Sequence, residues 1–210
     1  PVIFSPEIRR GLEKLGRAGS SQLLVRQTES QVELVEKTIH AIVTAASRLS
    51  AREHGALIVI QRGDSLVEYA RTGVRLNAEV TPELLLQIFY PNTPLHDGAA
   101  IIADNRVVAG ACVMPLSASG ILTHSPERQM GLRHRAALGI SEATDAITVV
   151  VSEESGSVSI AHNGRMIRRL DSDRLENILL AFYRPAENTA FRLKPLDWLK
   201  KTLQSKGKVE

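Results

Sequence analysis

Apolar residues in this chain come in short, nearly unbroken runs, and that restricts what it can fold into. Ala56–Ile60, Ala99–Ala103, Val107–Val113, Ile147–Val151 and Val158–Ala161 stand out. Runs this short, rich in Val, Ile and Ala and bounded by Gly, Asp or Asn, read as buried strands. Asp104-Asn105 and Asn163-Gly164 read as two-residue turns, so hairpins are prominent.

Helical signals lie between the runs. Thr28 and Gln31 have capping-box spacing, and Val32, Val35, Ile39, Ile42, Val43, Ala46 and Leu49 then recur at helical period. Thr81-Pro82-Glu83 opens a short helix through Phe89, and Asp171 caps another through Leu180. An Ala-rich helix with Ala136, Ala137 and Ile140 follows Arg133. Ser5-Pro6-Glu7 opens a basic helix carrying Arg9, Arg10, Lys14 and Arg17 to about Gly19, and Pro195–Leu203 reads as a short amphipathic helix. A turn at Arg62-Gly63-Asp64 and a strand at Leu66–Tyr69 complete the expectation. The fold class is therefore α/β or α+β, a central twisted mixed sheet flanked by helices. The chain divides into a helix and linker over residues 1–27, a main domain over 28–185 and a tail over 186–210.

Composition excludes several function classes. Aromatic residues make up 4% of the chain, too few for the stacking platforms that bind single-stranded nucleic acid. A net charge of +3 does not call for nucleic acid either. Cys112 is the only cysteine, so no intrachain disulfide forms. No apolar run is long enough to span a membrane.

The chemistry-bearing residues gather at the ends of these elements. Leu95-His96-Asp97-Gly98-Ala99 opens the run Ala99–Ala103, placing an imidazole and a carboxylate at a strand mouth. His96 and Asp97 can both reach a divalent metal if Gly98 kinks the backbone; the plain alternative is a turn with a surface histidine. Arg133-His134-Arg135 begins a helix, where positive side chains meet the positive end of the helix dipole. An anion such as a triphosphate would offset that, while a solvated charged face is the ordinary reading. Ser152-Glu153-Glu154 ends a strand and either terminates it or serves a metal or a ribose. His40, His54, His124 and His162 lack partners at metal-ligand spacing and read as surface or structural. Walker, dinucleotide-binding and nucleophile-elbow motifs are missing from the sequence.

Taken in order, these segments resemble the diadenylate cyclases, and specifically their membrane-associated CdaA type. The resemblance rests on Asn92-Thr93-Pro94-Leu95-His96-Asp97-Gly98-Ala99, on Gly131-Leu132-Arg133-His134-Arg135 continuing to Glu142, and on Val149–Gly156. Residues 4–17 resemble the stretch that follows the membrane helices of that type. It implies joining two ATP molecules into cyclic di-AMP with release of two pyrophosphates, with Mn²⁺, Mg²⁺ or Co²⁺ as cofactor. Asp97 would help activate the ribose 3′-hydroxyl, and His96 and Glu154 would hold the metal. Gly98 and Ala99 would meet the nucleotide through backbone, Met114 would pack on adenine, and Leu132, Ser152 and Glu153 would lie near the nucleotide. Arg133, His134 and Arg135 would serve the phosphates.

The resemblance further implies a homodimer with facing sites, ATP as ligand, no nucleic acid and a possible regulatory protein partner. The location implied is the cytoplasmic domain of a cell-membrane protein, tied to the membrane only through segments that a chain starting at Pro1 lacks. Two positions depart from the family's pattern. Leu132 stands where a Thr is frequent, and Val113 where some relatives carry an aromatic residue. The competing expectation is a nucleotide-binding regulatory module of the same fold without turnover.

Overall fold

A computed structural model describes residues 31–118 and 131–183. The predicted helices at 5–19 and 195–203, the Thr28 cap, His124 and both proposed domain boundaries lie outside them.

The apolar runs form the middle of a seven-stranded sheet. Its strands are β1 (Ala56–Ile60), β2 (Val74–Glu79), β3 (Ala99–Ala103), β4 (Arg106–Cys112), β5 (Ile147–Val151), β6 (Val158–His162) and β7 (Arg165–Leu170), in the spatial order β2-β4-β3-β1-β5-β6-β7. β1 and β3 are parallel, and every other pairing is antiparallel, so the sheet is mixed as expected. Every residue of β1 and β5 is buried, which explains their unbroken apolar character.

Two cores lie on the two faces. Ile58, Ile60, Ala100, Ile102, Ile147 and Val149 face α1 (31–50), α3 (Pro82–Ile88) and α5 (Ser172–Tyr183). Their alternating neighbours Leu57, Val59, Ala99, Ile101 and Val150 face α4 (Leu132–Ala143). The period of Ile39, Ile42, Val43, Ala46 and Leu49 is the buried stripe of α1. The Thr81 hydroxyl accepts from the Leu84 N–H at 3.2 Å and caps α3, with Pro82 in its first turn. Both two-residue turns have positive φ throughout: 49° and 59° at Asp104 and Asn105, 49° and 68° at Asn163 and Gly164. That geometry matches the twist of the paired strands.

The structure corrects the stretch after β1. Leu66–Tyr69 is not a strand; Val67–Ala70 forms a short helix, α2. Leu66 is buried against the α4 side, while Val67 is exposed. The Arg62-Gly63-Asp64 turn does not join two strands. Gly63 and Asp64 donate their backbone N–H groups to the Asp145 carboxylate, each at 3.0 Å, and Asp145 returns an N–H to Asp64 at 3.0 Å. Burial pushes the Asp145 carboxyl up, and the donors from Asp64 and Gly63 outweigh it and hold it below its ordinary value. β2 was not expected. Its Val-Arg-Leu-Asn-Ala-Glu sequence has no apolar run because it is an edge strand, open on one side.

Candidate active site

One end of the sheet opens into a cleft of about 1430 Å³. The starts of β1, β3 and β6 meet the ends of β4, β5 and β7 there, and the first turn of α4 closes one side. All three chemistry-bearing segments lie on its lining: His96-Asp97-Gly98, Gly131–His134 and Ser152–Ser155.

The first segment is fixed by backbone geometry. Gly98 has φ of +125°, and a methyl added to it would lie 2.7 Å from the Ala111 carbonyl carbon and 2.8 Å from the Cys112 oxygen. Only glycine lets this turn approach β4 so closely. Ala111 is itself at φ 53°, within a bulge where β4 sets an extra residue against β3. His96 Nδ1 lies 2.5 Å from the Thr93 carbonyl. A carbonyl only accepts, so Nδ1 carries the hydrogen, and in the neutral ring Nε2 keeps its lone pair for a ligand. Asp97 is exposed on the lining.

The second segment reaches across to the other two. Arg133 forms an ion pair with Glu153 and donates to the His96 carbonyl at 3.2 Å. A methyl on Gly55 would meet both Arg133 Nη1 and Glu153 Oε2, so Gly55 makes the room for this pair. Arg133 Nε is buried and has no hydrogen-bond partner among the described residues. α4 begins at Gly131 without a side-chain cap and without an acid in its first turn. Burial lowers the pKa of His134, and the neighbouring Arg168 lowers it further against a smaller opposing effect of Glu154.

The third segment is a tight loop pinned from below. Ser152 donates its N–H to the Ser157 carbonyl and accepts from the Gly156 N–H, both at 3.0 Å. The Ser50 hydroxyl at the end of α1 donates to the Gly156 carbonyl at 2.6 Å. The lining also has an apolar part, made of Leu57, Cys112, Met114, Leu116 and Ala136. The chain carrying Met114 and Leu116 packs on α4, where the Ser117 N–H donates to the Arg135 carbonyl at 3.0 Å. Burial pushes the Cys112 thiol up to about 11, so it stays protonated.

The cleft gathers His96, Asp97, Gly98, Met114, Leu132, Arg133, His134, Ser152, Glu153 and Glu154 from the residues the sequence singled out. It does not gather Ala99 or Arg135. Ala99 is fully buried within β3, pointing into the core beneath the cleft. Arg135 lies on α4 away from the lining. The departures Leu132 and Val113 are 69% and 66% exposed at the rim, so neither is needed for core packing. His40, His54 and His162 stand elsewhere, beside Glu176, Tyr90 and Phe182. Arg168 and Arg169 on β7 line the cleft and were missed, because nothing in an alternating strand pattern marks two consecutive residues as sharing one side.

The described residues contain no group of three His, Cys, Asp or Glu side chains able to hold a metal ion. A closed protein cage is therefore not what His96, Asp97 and Glu154 offer. A cation held there would have to take most of its shell from phosphate oxygens and water.

A cleft lined by an apolar wall and a polar end carrying Arg, His and carboxylates is that of a nucleotide-binding protein. Residues 43–166 match the family model DAC, described as DisA bacterial checkpoint controller nucleotide-binding, and the chain belongs to that family. It is 45% identical to the cyclic di-AMP synthase CdaA of Bacillus subtilis over 183 residues, covering 87% of this chain and 64% of that protein. A diadenylate cyclase of Listeria monocytogenes is 42% identical over 183 residues, covering 85% and 63%. The chain thus spans less than two thirds of the length of these curated relatives. The crystal structure of a double mutant of DacA from Staphylococcus aureus matches with a TM-score of 0.66 at 39% identity, covering 70% of this chain and 95% of that one. A hypothetical membrane spanning protein from Bacillus cereus matches with a TM-score of 0.58 at 45% identity, covering 63% of each chain. No helix among the described residues is long and apolar enough to cross a membrane.

Proposed function

We propose that this chain is a diadenylate cyclase domain, condensing two ATP molecules into cyclic di-AMP and two pyrophosphates. The observation that carries this is the meeting, in one cleft, of Asp97 and His96 with the start of α4 and the Ser152–Glu154 turn. In each half-reaction a ribose 3′-oxygen bonds to the α-phosphorus of the other nucleotide. The bond from that phosphorus to pyrophosphate breaks, and the hydroxyl proton passes to Asp97 or to water held by it.

The chain's residues divide this work. Gly98 lets the turn that carries His96 and Asp97 seat against β4 on the cleft lining, and the Met114 wall takes the base. Arg133 holds the His96 turn and the Glu153 turn at a fixed separation, so it positions both sides of the site. His96 Nε2 and Glu154 are the groups that would hold a divalent cation, whose chemistry is to neutralise phosphate charge. One cleft presents one Asp97 and one His96. Two bonds between two nucleotides therefore call for two copies with clefts facing each other. The membrane-anchored, cytoplasmic placement of the full protein belongs to the same proposal, supported by the CdaA likeness.

Incubation with ATP and Mn²⁺, followed by mass spectrometry of the products, is the test. Cyclic di-AMP and pyrophosphate in a ratio of one to two are expected. Tight ATP binding without product would instead make the chain a nucleotide-binding regulatory module.

A further inference from the structure

The cleft is short of free positive charge in a telling way. Of its lining cations, Arg133 has its charge paired with Glu153 and its other Nη on the His96 carbonyl, leaving only the buried Nε without a partner among the described residues. His134 is biased toward its neutral form by burial and by Arg168. Asp97 and Glu154 add negative charge to the same lining. A triphosphate entering this site would meet more repulsion than attraction were these the only charges. Arg168 and Arg169 change the balance. Both line the cleft, both are exposed, and neither makes an ion pair or a side-chain hydrogen bond among the described residues.

Their placement is not what a regular strand would give. Consecutive strand residues point to opposite faces. Between the pairs Val158↔Leu170 and Ile160↔Ile167, however, β7 sets three residue steps against two on β6. Arg169 occupies the left-handed region at φ 56°, where a non-glycine side chain is uncommon. This bulge accounts for two consecutive residues both lining the cleft, since bulges re-aim side chains in this manner. β7 is also the outermost strand on its side, so the two exposed arginines stand at the solvent edge of the site.

We propose that Arg168 and Arg169 bind the terminal phosphates of the nucleotide and receive the leaving pyrophosphate at the cleft rim. The inference rests on the nucleotide reading given above and deepens it by assigning the polyphosphate end of the site. Guanidinium groups suit this ligand because they offer paired donors to phosphate oxygens and keep their charge at all relevant pH. The rival explanation is that two charges on an edge strand merely discourage pairing with another chain.

The test is calorimetry of the full chain with ATP and with AMP, each in magnesium buffer. The proteins compared are the parent, the double variant Arg168→Gln/Arg169→Gln, and the double variant Arg168→Lys/Arg169→Lys. Glutamine keeps the edge polar, and circular dichroism checks that each variant is folded. ATP affinity should fall about tenfold in the glutamine variant, the size of one charge-assisted contact moderated by exposure. AMP affinity should stay at the parent value, and lysine should recover most of the loss. Equal weakening of ATP and AMP, or parent affinity for ATP in the glutamine variant, overturns the assignment while leaving the nucleotide reading intact. A parent that binds neither nucleotide overturns both.

Discussion

Replacing Gly98 by alanine tests whether the turn before β3 is built for close backbone approach. The added methyl would lie 2.7 Å from the Ala111 carbonyl carbon, 2.8 Å from the Cys112 oxygen and 3.0 Å from Ala111 Cα. Carbon atoms in contact prefer about 3.5–4.0 Å, so the methyl is roughly an ångström too near three backbone atoms of β4. None of these is the end of a flexible side chain that can swing aside. The φ of +125° adds its own strain, about 1–3 kcal/mol for a residue with a Cβ. Displacing a packed strand end costs about 1–3 kcal/mol more. The expected loss is therefore about 2–6 kcal/mol, a large share of the 5–15 kcal/mol typical of a domain. In urea this lowers the unfolding midpoint by about 1–2 M at an unchanged slope. The turn must also move, carrying His96 and Asp97 with it. Displacement of that order reduces turnover by about 100-fold per folded molecule. Urea titration and product analysis on the same preparation measure both. A variant with the parent midpoint would refute the packing argument. Lowered stability with full turnover per folded molecule would show that Gly98 serves the fold and not the site.

Asp97→Asn should retain ATP binding by calorimetry and lose about 10²–10⁴-fold in cyclisation, the usual cost of a missing proton acceptor; turnover at the parent rate would remove Asp97 from the chemistry. His134 has its pKa lowered in the fold, so the unfolded chain takes up this proton first as pH falls. Its contribution is thus intact above about pH 6.5 and is lost below it, and His134→Gln should flatten the fall in urea midpoint between about pH 7.5 and 5.5. Gly139→Ala would drive a methyl into the Pro115 carbonyl and push the chain bearing Met114 off α4. A loss of about 1–3 kcal/mol in urea is expected, with weaker ATP binding, and unchanged values for both would contradict the packing seen there. Specific activity should rise with enzyme concentration and then level off as facing dimers saturate; a flat response where sedimentation shows only monomer would exclude the reciprocal mechanism.

Much of the fold was legible because burial on both faces writes itself into a strand. β1, β3 and β5 are unbroken apolar runs, and each was read with its boundaries. The turns at Asp104-Asn105 and Asn163-Gly164 were legible from residues that tolerate positive φ. β2 was not, because an edge strand needs no apolar run. Leu66–Tyr69 misled because one buried leucine beside β-prone residues looks the same in a short helix as in a strand.

The site divides along the same line. Residue types marked the His96-Asp97-Gly98 turn, the Arg133 cluster and the Ser152–Glu154 turn as candidates, the resemblance joined them, and the fold places all three on one cleft. What each side chain does there depends on neighbours distant in sequence. Only the folded chain sets Arg133 against Glu153 and the His96 carbonyl, contacts that nothing in its sequence neighbourhood announces. Only it buries Ala99 and leaves Arg135 off the cleft, since helix and strand periodicity hands adjacent residues to different surroundings. The bulge in β7 works the other way, bringing Arg168 and Arg169 together on the cleft where strand alternation would part them. Sequence fixes which groups are present and which turns are possible; the pairing of β6 with β7 decides where those two charges stand.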